Sequence, residues 1–157
     1  MLEPHLNRRN ETECGPADVK VTESQMSWRV PPDGVQFTSG TECAFTFSTD
    51  AGFIVDFKVT KMDLGNDGGT CDEDFIRLAD TPEGLGKNAT VYCGTTPPKS
   101  DYTSTNNVVH IVIGSTTNPT ESYVTGSYLI DASQSVVLFR KVVLLGIWLN
   151  WLNSRFT

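Results

Sequence analysis

The strongest helix-forming residues are scarce in this chain. Only six alanines occur among the 157 residues, and only six leucines come before residue 135. Because alanine and leucine favour helices more than most residues do, a helical protein is not expected. Basic residues are scarce too, at 12 against 19 acidic ones. A nucleic-acid-binding protein needs a basic surface to neutralise phosphates, so nucleic acid is not a predicted partner.

Groups suited to catalysis are equally few. The chain has two histidines: His5 lies in a polar terminus, and His110 interrupts a run of β-branched residues. Ser115 follows Gly114 but lacks the G-x-S-x-G pattern that places a nucleophilic serine on a sharp turn. No serine or cysteine is therefore left with a recognisable histidine and aspartate partner. We do not expect this chain to be an enzyme.

The residues that are present favour β-strands. There are 19 threonines, with 13 glycines and 8 prolines to form turns. Phe53 to Val59 alternates apolar and polar residues, and Val108 to Ile113 is a β-branched run suited to a central strand. At least seven such short runs are separated by turn signals, which predicts an all-β protein built as an antiparallel two-sheet sandwich. The other predicted strands cover residues 19–21, 43–47, 74–78, 89–92 and 123–130.

Four cysteines without C-x-x-C spacing are interpreted as two disulfides rather than a zinc site. They are Cys14, Cys43, Cys71 and Cys93, and three pairings can be drawn among them. Pairing in sequence order would close loops of 29 and 22 residues. Each would stabilise the fold by about 3 kcal/mol in the chain-entropy model. Disulfides indicate an oxidising compartment, and four free cytosolic thiols are the alternative.

Two N-x-[ST] sequons also point to an oxidising compartment. They predict N-glycosylation at Asn10 and Asn88, and Asn88 follows a Leu-Gly-Lys segment that is expected to form a surface turn. The first ten residues contain no apolar segment of the kind found in a secretory signal peptide. We therefore expect the chain to be an excised or incomplete part of an extracellular protein.

The residues around the cysteines resemble those of CUB domains, a family of extracellular β-sandwich modules. The resemblance runs from Cys14 to about Ala132, roughly three quarters of the chain. Five elements carry it in the order that the family shows. They are Cys14-Gly15, Cys43-Ala44-Phe45-Thr46-Phe47, Cys71 to Leu78, Tyr92-Cys93-Gly94 followed by Pro97-Pro98, and Asn106 to Ser115 followed by Gly126.

The resemblance implies domain boundaries and a disulfide pairing. It implies a jelly-roll-like sandwich over residues 14–132, with a flexible segment before it at 1–13 and an apolar tail after it at 133–157. It also implies that the disulfides are Cys14–Cys43 and Cys71–Cys93.

A calcium site is a feature of many CUB domains. It is built from an acidic residue before a loop, the aspartate of C-x-x-D, and an aspartate after a serine near the last strands. Asp74 matches the second position, Asp63 or Gly65 the first, and the third falls on Thr116, which has no carboxylate. Ca²⁺ prefers several charged oxygen ligands. The resemblance thus predicts Asp63 and Asp74 as metal ligands of weakened affinity.

The acidic residues of this region have a second interpretation. They can form a solvated loop that aids solubility, in which Asp74 is hydrogen-bonded locally and no metal is held. The residues concerned are Asp63, Asp67, Asp72, Glu73 and Asp74.

The resemblance implies binding rather than catalysis. We expect an extracellular protein- or glycan-binding module of a larger secreted or membrane-anchored protein. The alternatives are a stand-alone secreted protein similar to spermadhesins and an accessory domain of an extracellular protease. The net charge of the chain is −7, and the residues after Asp131 contribute +3, so residues 1–131 carry a net charge of −10. This negative charge favours a basic partner. Trp28, Tyr102 and Tyr123 are candidate ligand contacts, and each is equally interpretable as a core residue.

The tail differs in composition from the rest of the chain. Val136 to Leu152 is a 17-residue apolar segment interrupted by Arg140, Lys141 and Asn150. A membrane-spanning helix needs about 20 apolar residues and tolerates central charge poorly. Three interpretations stay open: a short interfacial or packed helix, a tail without a selected structure, and a membrane-spanning helix. An interfacial or membrane-spanning helix would bring residues 136–152 into contact with a membrane.

Overall fold

Two β-sheets packed face to face form the part of the chain that the structure describes. The structure is a computed structural model that describes residues 10–22, 25–65 and 70–131. The predicted tail at 133–157, its membrane contact and residues 1–9 of the N-terminal segment lie outside these residues. The elements are α1 Glu11–Cys14, β1 Asp18–Lys20, β2 Met26–Val30, β3 Thr41–Ser48, β4 Ile54–Asp63, β5 Phe75–Ala79, a 3₁₀ turn Glu83–Gly86, β6 Thr90–Tyr92, β7 Tyr102–Thr103, β8 Val108–Ser115 and β9 Tyr123–Asp131.

The predicted fold class is confirmed. One sheet has the strand order β1-β3-β8-β5-β6 and the other β2-β9-β4-β7. Neighbouring strands are antiparallel throughout these sheets except for the β1–β3 pair, which is parallel. The predicted alternation in β4 is also confirmed, because Val55, Phe57 and Val59 are buried while Lys58 is exposed. A register shift between Val59 and Lys61 then interrupts the pairing of β4 with β9.

Aromatic side chains from both sheets form the centre of the core. The ring centroid of Trp28 on β2 lies 5.3 Å from that of Phe45, 5.8 Å from Phe47 and 5.2 Å from Phe57. All three contacts are edge-to-face, the geometry that aromatic quadrupoles favour. Phe47 also contacts Tyr128 of β9 at 4.9 Å. Because β3 belongs to one sheet and β2, β4 and β9 to the other, this cluster holds the two sheets together.

The two disulfides join the pairs implied by the resemblance. Cys14–Cys43 ties α1 to β3, and Cys71–Cys93 ties the segment before β5 to the residue after β6. All four cysteines are thereby used.

The segment before the first disulfide is more ordered than the sequence suggests. Residues 10–13, placed in a flexible N-terminal segment by the sequence, instead form a capped helical turn in which the Asn10 side-chain oxygen accepts from the Thr12 amide. The buried carboxylate of Glu13 accepts hydrogen bonds from the Thr38 amide at 2.8 Å and the Thr41 hydroxyl at 2.7 Å. Hydrogen bonds to a buried carboxylate thus join this turn to the start of β3. No helix within the described ranges has the length and apolar character needed to cross a membrane.

Gly126 of β9 is a position where the packing tolerates no side chain. A Cβ there would lie 2.4 Å from the carbonyl oxygen of Lys58, which belongs to the backbone of the neighbouring strand. We expect Gly126→Ala to lower the free energy of unfolding by about 1–3 kcal/mol, since β4 and β9 must separate to accept the methyl group.

Gly86→Ala is the matched control, because a Cβ at Gly86 meets no heavy atom within 4 Å. Urea denaturation of both variants measures the difference. Equal stability of the two variants would contradict this account of β9 packing.

Candidate functional site

Asp74, which lies between Cys71 and β5, is a buried carboxylate that connects two loops. Its Oδ1 accepts a hydrogen bond from the Thr116 amide at 2.7 Å and a longer one, 3.2 Å, from the Thr117 amide. Its Oδ2 accepts from the Thr117 hydroxyl and, at 3.3 Å, from the same amide. Asp74 therefore ties the segment after Cys71 to residues 116–122, which connect β8 to β9 and are called here the 116–122 loop.

The hydrogen bonds determine the ionisation of Asp74. Burial by itself raises the pKa of this carboxyl, but the bonds from the Thr117 hydroxyl and from the Thr116 and Thr117 amides outweigh it, so the pKa lies below its ordinary value of 3.8. At neutral pH the side chain is an anion whose charge is directed at loop donors.

An open cleft of about 300 Å³, called here the Asp74 cleft, lies beside this carboxylate. Exposed Asp72 and Glu73 line it together with Asp74, and Thr117 contributes part of its wall. Gly65 packs directly against Asp74, because a Cβ at Gly65 would lie 2.9 Å from Asp74 Oδ2. The backbone of Gly65 also has a positive φ of 71°, so both space and conformation favour glycine here.

A second cleft of about 370 Å³, called here the Arg29 cleft, borders the other end of the 116–122 loop. It brings together the end of β2, the turn after it and the start of β9. Its polar lining consists of Arg29, Gln36, Thr120, Glu121, Ser122 and Tyr123.

Sequence reasoning had identified Tyr123 but not Arg29. No motif marks Arg29. Its position depends on the pairing of β2 with β9, in which Arg29 lies opposite Thr125.

A model of the CUB domain family matches residues 13–124 of this chain. The chain belongs to the CUB domain family. No curated protein matches it, and its CUB domain is similar in fold to several solved structures.

Three of these structures show the extent of the likeness. The full extracellular region of zebrafish Gpr126/Adgrg6 is 24% identical with a TM-score of 0.58, over 76% of this chain and 15% of that one. The CUB1-EGF-CUB2 domain of human MASP-1/3 is 18% identical with a TM-score of 0.59, over 76% and 43%. The MASP-1 CUB2 domain bound to Ca²⁺ is 16% identical with a TM-score of 0.54, over 73% and 99%. The chain thus spans less than half the length of the first two.

The two residues predicted as calcium ligands, Asp63 and Asp74, belong to different parts of the fold, the end of β4 and the residue before β5. Asp63 ends β4 opposite Tyr123 and does not line the Asp74 cleft, and Asp67 lies outside the described residues. Among residues 10–22, 25–65 and 70–131, no group of three His, Cys, Asp or Glu side chains could hold a metal ion. Both carboxylate oxygens of Asp74 accept hydrogen bonds from Thr116 and Thr117.

The candidate aromatic residues have different surroundings. Trp28 packs mainly in the core, although one side of it lines a third cleft, of about 250 Å³. The Tyr102 hydroxyl donates to Asp80 at 2.8 Å, and burial together with this carboxylate raises the pKa of Tyr102. Tyr123 is half-buried and lines the Arg29 cleft. Of the three, Tyr123 is placed best for a ligand contact.

The lowered pKa of Asp74 predicts a loss of stability in acid. A carboxyl whose pKa is depressed by folding contributes stability above its unfolded pKa, and that contribution is lost as pH falls through the folded pKa. We expect Asp74→Asn to lower the free energy of unfolding at pH 7 by about 1–3 kcal/mol, because donors are left without the carboxylate.

The same variant should show a weaker decline in stability below pH 4 than the unaltered protein. Urea denaturation from pH 7 to pH 2 measures both effects. Asp72→Asn is the control, since Asp72 is exposed in the same loop and should leave the profile unchanged. Parallel pH profiles for Asp74→Asn and the unaltered protein would refute the role assigned to Asp74.

Proposed function

We propose that this CUB domain is an extracellular protein-binding module of a longer protein, and that the Asp74 cleft accepts a basic side chain of its partner. The observation that carries the proposal is the placement of exposed Asp72 and Glu73 beside a buried, ionised Asp74 that fixes the neighbouring loop. Carboxylates at the rim attract a cation, and opposite charges steer association as well as stabilise the complex.

The surrounding structure supports binding with little loss of loop entropy. The Cys71–Cys93 disulfide lies at the cleft, where Cys93 forms part of the wall. The Thr116 and Thr117 amides are bonded to Asp74. A contact surface held in place before binding pays less for ordering when the partner arrives.

The family supports a binding role within a larger protein. CUB domains are in general non-catalytic modules, and the related human chain combines CUB and EGF domains. The ring Nδ1 of His110 lies 3.4 Å from the Thr46 hydroxyl on a neighbouring strand, which gives this histidine a structural partner. A partner protein therefore fits the observations better than a substrate.

Calcium binding at Asp63 and Asp74 stays a prediction. It is supported by the Ca²⁺-bound MASP-1 relative and opposed by the hydrogen-bond donors that surround Asp74 here. We infer that these donors fix the 116–122 loop without a cation.

A basic probe tests the proposed cleft. We expect titration with Nα-acetyl-lysinamide to shift the amide resonances of Asp72 and Glu73, and to shift them less in 1 M salt, because exposed ion pairs are screened. The double variant Asp72→Asn with Glu73→Gln should lose the response.

Nα-acetyl-norleucinamide, which lacks the ammonium group, is the control ligand for this titration. Equal shifts from the two probes, or a response that survives in the double variant, would contradict recognition of a basic side chain.

Enzymatic deglycosylation tests whether the two predicted sequons carry glycans. Asn88 is exposed in the turn after Glu83–Gly86, so a glycan there meets no packed neighbour. When the chain is directed into the secretory pathway of mammalian cells, we expect peptide N-glycosidase to reduce its mass, and Asn88→Gln to remove one glycan.

Asn10→Gln tests the second sequon in the same way. A secreted chain with no enzyme-sensitive mass at either position would contradict the glycosylation prediction.

A further inference from the structure

We propose that the Arg29 cleft is a second binding site, and that it takes a carboxylate of an acidic side chain on a partner protein. This inference rests on the proposed role of the domain in protein binding and assigns it a second contact of opposite charge. Arg29 is the group that would bind the carboxylate, and the Tyr123 ring holds it in position.

Two side chains contact the Arg29 guanidinium. Its central carbon lies 5.0 Å from the centroid of the Tyr123 ring, a cation–π arrangement. Its Nε lies 2.8 Å from Asp33 Oδ1. A planar guanidinium that lies over an aromatic ring loses little freedom when it binds a carboxylate.

The two terminal nitrogens of Arg29 remain available. Within the described residues its single ion pair is made by Nε to Asp33, so Nη1 and Nη2 are left for the forked contact that carboxylates form with arginine. The Arg29 side chain is 39% exposed and that of Asp33 is 93% exposed. A pair this exposed is weak and can yield to a better-placed carboxylate.

The other polar groups of the cleft suit the same ligand. The side-chain amide of Gln36 and the hydroxyl of Tyr123 make no hydrogen bond within the described part of the chain. Both residues line the cleft with Arg29. Glu121 is the acidic residue of the lining, and its Oε2 accepts from Asn118 Nδ2 at 2.7 Å. Glu121 should therefore oppose an acidic ligand without excluding it.

The 116–122 loop relates the two clefts. Thr117 lines the Asp74 cleft, while Thr120, Glu121 and Ser122 line the Arg29 cleft. The loop is bonded at one end to Asp74, and at the other the Ser122 amide and hydroxyl donate to the Asn118 carbonyl. A partner with a basic and an acidic residue can thus contact both clefts across one ordered loop.

A protein side chain fits the cleft better than a sugar. Sugars commonly bind by stacking on an open aromatic face, but the guanidinium of Arg29 already lies over the Tyr123 ring. Besides Arg29, the cleft offers the Gln36 side-chain amide and the Tyr123 hydroxyl, which can both donate to a carboxylate.

The test is an NMR titration of the full 157-residue chain with Nα-acetyl-glutamate amide. The signals monitored are the Arg29 Nε–Hε resonance and the backbone amide resonances of Gln36 and Tyr123. Nα-acetyl-glutaminamide, which has the same shape without the charge, is the control ligand. We expect the charged probe to shift all three resonances and the control to leave them in place.

Variants then assign the effect to Arg29. Arg29→Lys keeps the charge but loses the two parallel hydrogen bonds that a guanidinium donates to a carboxylate. We expect the dissociation constant for the glutamate probe, measured from the amide resonances of Gln36 and Tyr123, to rise about tenfold. Asp33→Asn frees Nε and should tighten binding about two- to fivefold. Asp101→Asn is the matched control, because Asp101 pairs with Lys58 instead, and it should change nothing.

Three results would overturn the proposal. One is an equal response to the glutamate and glutamine probes, and another is an affinity for the glutamate probe that is unchanged in both Arg29→Lys and Asp33→Asn. The third is tighter binding of N-acetylneuraminate than of the glutamate probe, which would assign the cleft to a glycan. The lysine probe at Asp72 and Glu73 is read from different resonances. Failure at one cleft is therefore distinguishable from failure at the other.

Discussion

The end of the sandwich that carries both clefts depends on the hydrogen bonds between the Asp74 carboxylate and the 116–122 loop. Thr116 and Thr117 are exposed residues in a connection between two strands, where backbone amides would normally bond to water. Asp74 lies behind them, 6% exposed, and accepts both amides. One buried carboxylate thereby bonds the backbone of an exposed loop, and Thr117 of that loop lines the Asp74 cleft. The Cys71–Cys93 disulfide lies close by, since Cys93 lines the same cleft as Asp74.

The fixed loop gives the domain two clefts with different chemistry. The Asp74 cleft presents carboxylates, whereas the Arg29 cleft presents a guanidinium over a tyrosine ring. The chain has a strongly negative net charge. The charge of the Asp74 cleft has the same sign as this net charge, whereas the charge of Arg29 has the opposite sign. If the Arg29 cleft binds as proposed, such opposition favours specificity, because an acidic ligand is attracted only where a local cation outweighs the surrounding repulsion.

Much of the sandwich could be predicted because strand signals are local. Phe53 to Val59 alternates with period two, and the structure buries the expected face. Met26–Val30 also alternates, but its five residues end directly at Pro31-Pro32, and it is not among the predicted strands. Tyr102–Thr103 is too short to carry a period. The helical turn at Glu11–Cys14 depends on Glu13 reaching Thr38 and Thr41, which no local pattern shows.

The site was less predictable than the fold, because its contacts join distant residues. Asp74 could be selected from its place after Cys71, but its bonds to Thr116 and Thr117 span 42 and 43 residues. The Arg29 cleft depends on the register of β2 against β9, which sequence reasoning did not supply.

Amide hydrogen exchange at Thr116 and Thr117 tests the central claim most directly. It would be measured in EDTA and again with Ca²⁺, for the unaltered protein and for Asp74→Ala, with Asp72→Ala as the control. The account predicts that both amides are protected in EDTA, that Ca²⁺ adds no protection, and that Asp74→Ala alone removes it. Fast exchange in EDTA that becomes slow only with Ca²⁺ would contradict the account and restore the cation as the group that fixes the loop.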